Sequence, residues 1–153
     1  MRARKSASVQ QQVERMARSF SRLLGRDLLE SGAEPSADEL WHCGFALLSH
    51  GAQSDPLFNY ANQLALTLFE RDLEAFIGLP SRLSSARTVD EDRTRLLERV
   101  AQQGYIEDYS GIRVSASGRL FEISDAIVWN LHDDSGRYRG QAAKIGRWRY
   151  VDD

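Results

Sequence analysis

The 153-residue sequence has little cysteine, little proline and almost no net charge. Its single cysteine, Cys43, cannot form an internal disulfide, and no second thiol offers metal-ligand spacing. The 20 basic and 22 acidic residues leave a formal charge of −2, so the chain has no overall field that attracts nucleic acid. These absences argue against a disulfide scaffold and a zinc module, and they favour a reducing compartment.

Long apolar runs are also missing. No stretch approaches the about 18 apolar residues of a membrane span, and the basic N-terminus is not followed by the apolar segment of a secretory signal. We therefore expect a cytoplasmic protein without a membrane partner. The hydrophobic fraction of 42% suffices for one core. We expect a flexible N-terminus over residues 1–8 and a single domain over 9–153.

The N-terminal third begins with an amphipathic helix, predicted over 9–30, before a Gly- and Pro-containing turn. Its apolar side chains recur at steps of three and four residues against a basic background, as in a helix with one buried face. Such a stripe fits two roles equally: dimerisation or signalling, and cover for the chain's own sheet. The stripe consists of Val13, Met16, Ala17, Phe20, Leu23 and Leu24.

A change of hydrophobic period marks the stretch SDPLFNYANQLALTLFE. Leu57 to Tyr60 reads as a strand, and the helical period starts at Leu64. Asn62 is suited to cap this helix, because its amide oxygen accepts a hydrogen bond from an otherwise unpaired backbone N–H. The alternation of a regular strand predicts that Phe58 and Tyr60 share one face.

The remaining elements are short. A first strand is predicted over Phe45–His50, a helical turn over Asp72–Ile77, and a capping box at Thr88–Glu91 before a helix that Gly104 closes. Three antiparallel strands then run from Tyr105 to about Tyr150, joined by turns at 117–119 and 133–136. We also expect the segment 84–89 to be weakly ordered.

This order of elements, together with FNYANQLALTLFE, GLPSRLS and LLERVAQQGYIEDYSGIRVSASGRLFEISDAIVWNLHDDSGRYRGQAA, resembles the bacterial MEKHLA-domain proteins. These are stand-alone relatives of the domain at the carboxyl end of plant class III homeodomain leucine-zipper proteins. The family is similar to PAS domains. The resemblance implies an α+β fold with a five-stranded antiparallel sheet, short helices on one face, and a sensory or interaction role.

In a PAS-like fold the sheet and its short helices enclose the cavity where ligands sit, and this predicts a candidate pocket. Two interpretations stay open for its aromatic residues: they fill the core, or they contact a ligand. Arg113 is suited to hold a carboxylate, or else it pairs within the protein like the other Arg and Asp residues of these stretches. The candidate residues are Phe58, Tyr60, Asn62, Leu68, Arg113, Trp129, Leu131 and Gln141.

The cofactor stays unknown. PAS-type flavin photoreceptors carry a cysteine in an Asn-Cys-Arg motif in the helix region, whereas Cys43 precedes the first strand. Haem-binding relatives use a histidine on the long helix, and residues 90–104 contain none. No zinc spacing, glycine-rich phosphate loop or Gly-x-Ser-x-Gly motif occurs.

The favoured function is a non-catalytic PAS-like module that binds a small molecule or a protein partner, with a homodimer through the first helix as a further expectation. The alternative is a small cone-fold enzyme, such as an isomerase or dehydratase, with Asp108 or Glu122 acting beside Tyr60 or His132. Strand order distinguishes the two. A nucleic-acid partner would rest on the charge of the first helix alone, and we do not expect one.

Overall fold

The computed structural model describes residues 7–29, 32, 34–84 and 98–151. The helices are α1 (Ala7–Leu24), α2 (Ala37–His42), α3 (Gln63–Phe69) and α4 (Leu73–Phe76), followed by a 3-10 turn (Ser81–Ser84) and helical residues 98–103. The strands are β1 (Ala46–His50), β2 (Phe58–Ala61), β3 (Tyr105–Val114), β4 (Leu120–His132), β5 (Tyr138–Ile145) and β6 (Trp148–Tyr150).

One antiparallel sheet organises the chain, with strand order β2-β1-β5-β4-β3. β1 lies in the middle although it comes first, because β5 returns to pair with it from Ala46↔Ile145 to His50↔Gln141. This confirms the predicted sheet of five antiparallel strands. The short β6 adds a sixth strand along the first part of β4, from Phe121↔Tyr150 to Ile123↔Trp148.

α1 covers one face of this sheet, called here the outer face. Its apolar stripe packs on Trp129 and Leu131 of β4 and Leu47 of β1, all fully buried. The Phe20 ring meets the Trp129 indole edge to face at 4.9 Å, and the indole N–H donates to the Met16 carbonyl oxygen at 3.2 Å. The structure thus assigns the stripe to the chain's own sheet, the second of its two predicted roles.

The opposite, inner face carries α3, α4 and the helical residues 98–103. Phe58 stacks on Phe76 of α4 at 4.2 Å, and Phe69 of α3 meets Phe121 of β4 edge to face at 5.2 Å. Val100 packs on Ile106 and Val128 at the far end of this face. The sheet therefore lies between two helical layers, each with its own apolar cluster.

Phe58 and Tyr60 lie on opposite faces, so the prediction that they share a face is wrong. Phe58 packs in the inner cluster and Tyr60 in the outer one. The pairing explains this: Ser49 pairs with Tyr60 and His50 with Phe58, which leaves Asn59 as an extra residue in a β-bulge. A bulge breaks the two-residue alternation on which the prediction rested.

Other boundaries differ slightly from the predictions. α1 ends at Leu24, earlier than residue 30, because Gly25 adopts φ +73° and closes the helix. The helix predicted before Gly104 is described only from residue 98, and its capping box at 88–91 lies outside the described residues, as do 85–89 of the segment expected to be weakly ordered. The flexible terminus predicted over 1–8 is described only at residues 7 and 8, which begin α1.

Candidate functional site

A cavity of about 240 Å³ lies between the inner face and its helices. Its apolar wall comes from all the central strands and from α3. This wall includes Leu48, Phe58, Phe69, Ile123, Val128, Ala143 and Ile145. Apolar walls with a few polar groups are typical of small-molecule sites, so this cavity is the candidate functional site.

One polar group of the cavity lies on β3. In the sheet, Tyr109 pairs with Ala126 of β4 and Arg113 pairs with Phe121. Tyr109 and Arg113 both line the cavity. The Arg113 guanidinium donates to the Tyr109 hydroxyl at 2.7 Å. Gly111 lies between them, and a Cβ there would stand 2.6 Å from the Tyr109 hydroxyl oxygen. The glycine therefore lets the tyrosine lie flat along the strand and reach the arginine.

A second polar group lies at the other end, where His50, Gln141 and Asn130 occupy paired positions on β1, β5 and β4. The Asn130 amide nitrogen donates to the Val100 carbonyl oxygen at 3.4 Å, and its oxygen accepts from the Gln141 amide nitrogen at 3.1 Å. His50 Nδ1 lies 2.9 Å from the Gly51 carbonyl oxygen.

Three of the eight candidate pocket residues line this cavity: Phe58, Arg113 and Gln141. Trp129, Leu131 and Tyr60 instead belong to the outer cluster beneath α1. Burial raises the pKa of the Tyr60 hydroxyl, which is only 5% exposed. Leu68 packs in the inner core next to the cavity wall. β4 alternates regularly here, with Trp129 and Leu131 in the outer cluster and Asn130 bonded to Val100 on the inner side.

Asn62 holds the corner between β2 and α3. Its side-chain oxygen accepts from the backbone N–H of Leu47 at 2.9 Å and of Ala65 at 3.1 Å. Its amide nitrogen donates to the carbonyl oxygens of Leu40 and Phe45, both at 2.9 Å. This confirms the predicted cap. Since the buried amide is fully engaged by the backbone, its role here is to join α2, β1 and α3.

Most charged residues of the candidate stretches pair within the protein, as the second of the two interpretations predicted. Arg82 contacts Asp55 at 3.2 Å, and Arg147 contacts Asp125 at 3.3 Å. Exposed pairs of this kind contribute little stability and mainly orient loops.

The acid–base candidates of the enzyme alternative lie apart from one another. Asp108 pairs with Arg99 at 3.2 Å, and Glu122 pairs with Arg149 at 2.8 Å. Tyr60 lies in the outer cluster, and the His132 ring stands 6.2 Å from that of Tyr138. The structure does not bring a carboxylate of this set together with Tyr60 or His132.

Serine, histidine and tyrosine residues of the cavity were missed by the sequence reasoning. They include His50 and Tyr138, which come together because β5 pairs with both β1 and β4. No local pattern marks them, since each belongs to an ordinary strand. Within the described residues, no three His, Cys, Asp or Glu side chains are grouped to hold a metal ion. No described helix is long and apolar enough to cross a membrane.

The strand order and the helices on the inner face define a PAS-like domain, and comparison with solved structures agrees. A PAS domain of a protein from Colwellia psychrerythraea superposes with a TM-score of 0.62 at 16% identity, covering 75% of this chain and 92% of that one. A light-oxygen-voltage domain studied with a flavin analogue superposes at 0.58, also with 16% identity, over 75% of this chain and 83% of that chain. The fold is therefore not that of the cone-shaped enzymes.

The MEKHLA domain model matches residues 10–150, and the chain belongs to this family. Among curated proteins it is similar to the homeobox-leucine zipper protein ATHB-14 of Arabidopsis thaliana, with 29% identity over 146 residues. A second Arabidopsis relative, ATHB-9, is 30% identical over 135 residues. The matches cover 89% and 84% of this chain but only 17% and 16% of the plant proteins.

Proposed function

We propose that this chain is a sensory or regulatory module that binds a small molecule in the inner-face cavity. The observation that carries the proposal is the cavity itself, about 240 Å³ of space inside a PAS fold, lined by apolar residues and by two polar groups. Most space between packed elements is filled by side chains, so a partly open cavity of this size fits a binding role.

The signal would leave through α1. Leu48 and His50 line the cavity, and between them the Ser49 hydroxyl accepts from the Gln12 amide of α1 at 3.0 Å. The same hydroxyl donates to the Asn59 side-chain oxygen in the β2 bulge at 2.6 Å. A ligand that shifts β1 would therefore act on the anchor of α1. To have this effect, the ligand must bind with different affinities to the state in which α1 packs on the sheet and to a state in which α1 has detached from it.

Native mass spectrometry of the protein as purified from cells, followed by the same measurement after denaturation, tests the binding. We expect a reproducible extra mass that disappears on denaturation. Ala143→Leu should remove this mass, because Ala143 lines the cavity. Ala52→Leu is the matched control, since Ala52 is exposed in the β1–β2 loop. An unliganded mass, together with no thermal shift against a small-molecule library, would overturn the proposal.

A homodimer through α1 is a further part of the proposal, in a restricted form. The apolar stripe is buried in the monomer, with Phe20 at 0% exposure, so a second copy would contact the opposite side of the helix, around Arg18 and Arg22. Light scattering should then give a dimer mass for the native protein and a monomer mass for Arg22→Glu. A native monomer mass would reject this contact.

A further inference from the structure

Gln141 is held in one orientation on the cavity wall. The Asn130 backbone N–H donates to the Gly104 carbonyl oxygen at 2.8 Å, and the Asn130 amide nitrogen donates to the Val100 carbonyl oxygen at 3.4 Å. The Asn130 side-chain oxygen therefore faces Gln141, whose amide nitrogen donates to it at 3.1 Å. Within the described part of the chain, the Gln141 side-chain oxygen accepts no hydrogen bond.

This oxygen selects for a ligand that donates a hydrogen bond. A ligand acceptor in the same place would leave the oxygen unpaired, which costs its desolvation. Rotating the Gln141 amide to offer its nitrogen instead would break the bond to Asn130. The serine and tyrosine hydroxyls on the same wall both donate and accept, so they do not select in this way.

The charges around the cavity favour a neutral ligand. Among the described residues, no aspartate or glutamate lines it, so an ammonium group would have no countercharge there. Arg113 donates to the Tyr109 hydroxyl at 2.7 Å and has a further interaction within the protein, so its guanidinium is already engaged. An isolated charge costs far more to move from water into an apolar site than a neutral polar group does. The polar part of the ligand is therefore an uncharged O–H or N–H group.

The apolar part of the wall sets the size and shape of the ligand. Leu48, Ala143 and Val128 pair side by side on β1, β5 and β4, and the rings of Phe58 and Phe69 also line the cavity. An apolar cavity of roughly 150 Å³ takes one benzene ring. A volume of about 240 Å³ therefore fits a bicyclic ring. Aromatic side chains favour an aromatic partner, because rings attract one another edge to face or in offset stacks.

We propose that the cavity takes a neutral bicyclic aromatic molecule whose O–H or N–H group donates a hydrogen bond to the Gln141 side-chain oxygen. This inference rests on the proposed function, because it names the ligand class of the same cavity. Ala143 lies two residues after Gln141 on the same face of β5, a distance of about 7 Å along the strand. The ring therefore lies over Ala143 when its polar edge contacts Gln141.

Four probes of similar size test the parts of this assignment. 2-Naphthol carries the donor, 2-methylnaphthalene has the same shape without it, and quinoline presents only an acceptor. Decahydro-2-naphthol keeps the hydroxyl but lacks the aromatic ring. The full chain is unfolded and refolded to release any molecule that co-purified. Binding is then measured by equilibrium dialysis at about pH 7, where a phenolic hydroxyl is neutral.

We expect 2-naphthol to bind roughly threefold to tenfold more tightly than 2-methylnaphthalene, because it gains one hydrogen bond. Quinoline should bind at least about tenfold more weakly than 2-naphthol, because its nitrogen leaves the Gln141 oxygen unpaired. Decahydro-2-naphthol should bind roughly threefold more weakly than 2-naphthol, because it loses the ring contacts. Ala143→Leu should weaken the binding of all four probes, because it fills the cavity.

Substitutions assign the donor preference to Gln141. Gln141→Leu should make 2-naphthol and 2-methylnaphthalene bind equally. Gln63→Leu is the matched control, because Gln63 is exposed on α3 and does not line the cavity. Circular dichroism of each variant checks the fold. A folded Gln141→Leu variant that keeps the preference for 2-naphthol would overturn the assignment.

Asn130→Leu tests the fixed orientation of the Gln141 amide. Without its partner the amide can rotate and offer either its oxygen or its nitrogen, so the difference in affinity between 2-naphthol and quinoline should shrink. An unchanged difference in this variant would contradict the selection for a donor, whether or not Gln141→Leu folds.

The outcomes separate the inference from the proposed function. Equal binding of 2-naphthol, 2-methylnaphthalene and quinoline would overturn the donor assignment while supporting a binding cavity. Equal binding of 2-naphthol and decahydro-2-naphthol would overturn the aromatic ligand class. Binding of no probe by a protein that carries an extra native mass would overturn the ligand class alone. Binding of no probe together with an unliganded native mass would remove both proposals.

Discussion

The two faces of the sheet are filled differently. On the outer face, α1 packs its apolar stripe onto Trp129, Leu131 and Leu47, all at 0% exposure. On the inner face, the helices reach Phe58 and Phe121 but leave about 240 Å³ beside Ala143 and Val128. The same strands supply both surfaces, so the residues that fill one face and the residues that line the other alternate along the chain.

This difference divides stability from binding. A close-packed face stabilises the fold through dispersion and the burial of apolar area. A face with a cavity loses part of that contribution, and a ligand that fills the space would restore it. We therefore expect substitutions on the outer face to lower the free energy of unfolding, whereas those on the inner face should mainly change binding.

The largest effect is expected for Trp129→Ala. Removing a fully buried indole should lower the free energy of unfolding by about 3 to 5 kcal/mol, because a cavity remains under α1. Urea denaturation measures the loss. Trp148→Ala is the control, because Trp148 is only partly buried on the short β6 and should cost less. A loss below about 1 kcal/mol would contradict the close packing of the outer face.

Asn62→Ala should come next, with a loss of roughly 2 to 4 kcal/mol, because four backbone groups would lose their hydrogen bonds to the Asn62 amide. These groups are the N–H of Leu47 and Ala65 and the carbonyls of Leu40 and Phe45. Asp72→Ala removes a comparable cap from α4 at an exposed position and should cost about 1 kcal/mol. If thermal or chemical denaturation gave equal losses of stability for Asn62→Ala and Asp72→Ala, Asn62 would act only as a helix cap.

Two adjacent alanines compare the faces directly. Both alanines border the cavity, but Ala142 packs in the outer cluster at 2% exposure, whereas Ala143 packs against the inner cluster. Ala142→Leu should therefore destabilise the fold by about 1 to 3 kcal/mol through overpacking, and Ala143→Leu should change stability by less. Chemical denaturation of both variants checks this. Equal destabilisation would mean that the inner face is as tightly packed as the outer one.

The smallest effect is expected at Glu70, which joins the end of α3 to the β3–β4 turn. The hydroxyls of Ser115 and Ser117 donate to its carboxylate and lower the pKa of Glu70. Because the folded pKa lies below the unfolded one, this stabilisation is present at neutral pH and is lost as the pH falls through the folded pKa. The difference in melting temperature between the native protein and Glu70→Gln should thus shrink below about pH 4.

Glu74→Gln is the control for this pH series, since Glu74 is an exposed carboxylate on α4. We expect its melting temperature to stay parallel to that of the native protein at every pH. A constant gap for Glu70→Gln across the series would contradict a role for the ionised carboxylate.

Local sequence signals predicted much of the fold. The helical period of Val13 to Leu24 and the cap at Asn62 each depend on residues near one another in the chain. The resemblance to MEKHLA domains supplied the sheet and the expected position of a cavity. Of the eight predicted pocket residues, three line the cavity: Phe58, Arg113 and Gln141.

The remaining pocket residues were not predictable from the chain alone. Tyr60 lies on the outer face because Asn59 forms a bulge, and a bulge depends on how β2 pairs with β1. His50, a cavity residue that was not predicted, lies beside the predicted Gln141 only because β5 returns to β1. Such contacts join residues far apart in sequence, so no local sequence pattern indicates them.

The sequence by itself determined the secondary structure, the amphipathic stripe of α1 and the cap of α3, because these follow from side-chain period and backbone hydrogen bonding within a few residues. Only the tertiary structure decided that the stripe covers the chain's own sheet, that Trp129 fills the outer face, and that space remains on the inner one. A cavity is the volume that side chains from distant segments leave unfilled, and that volume depends on their packing in three dimensions.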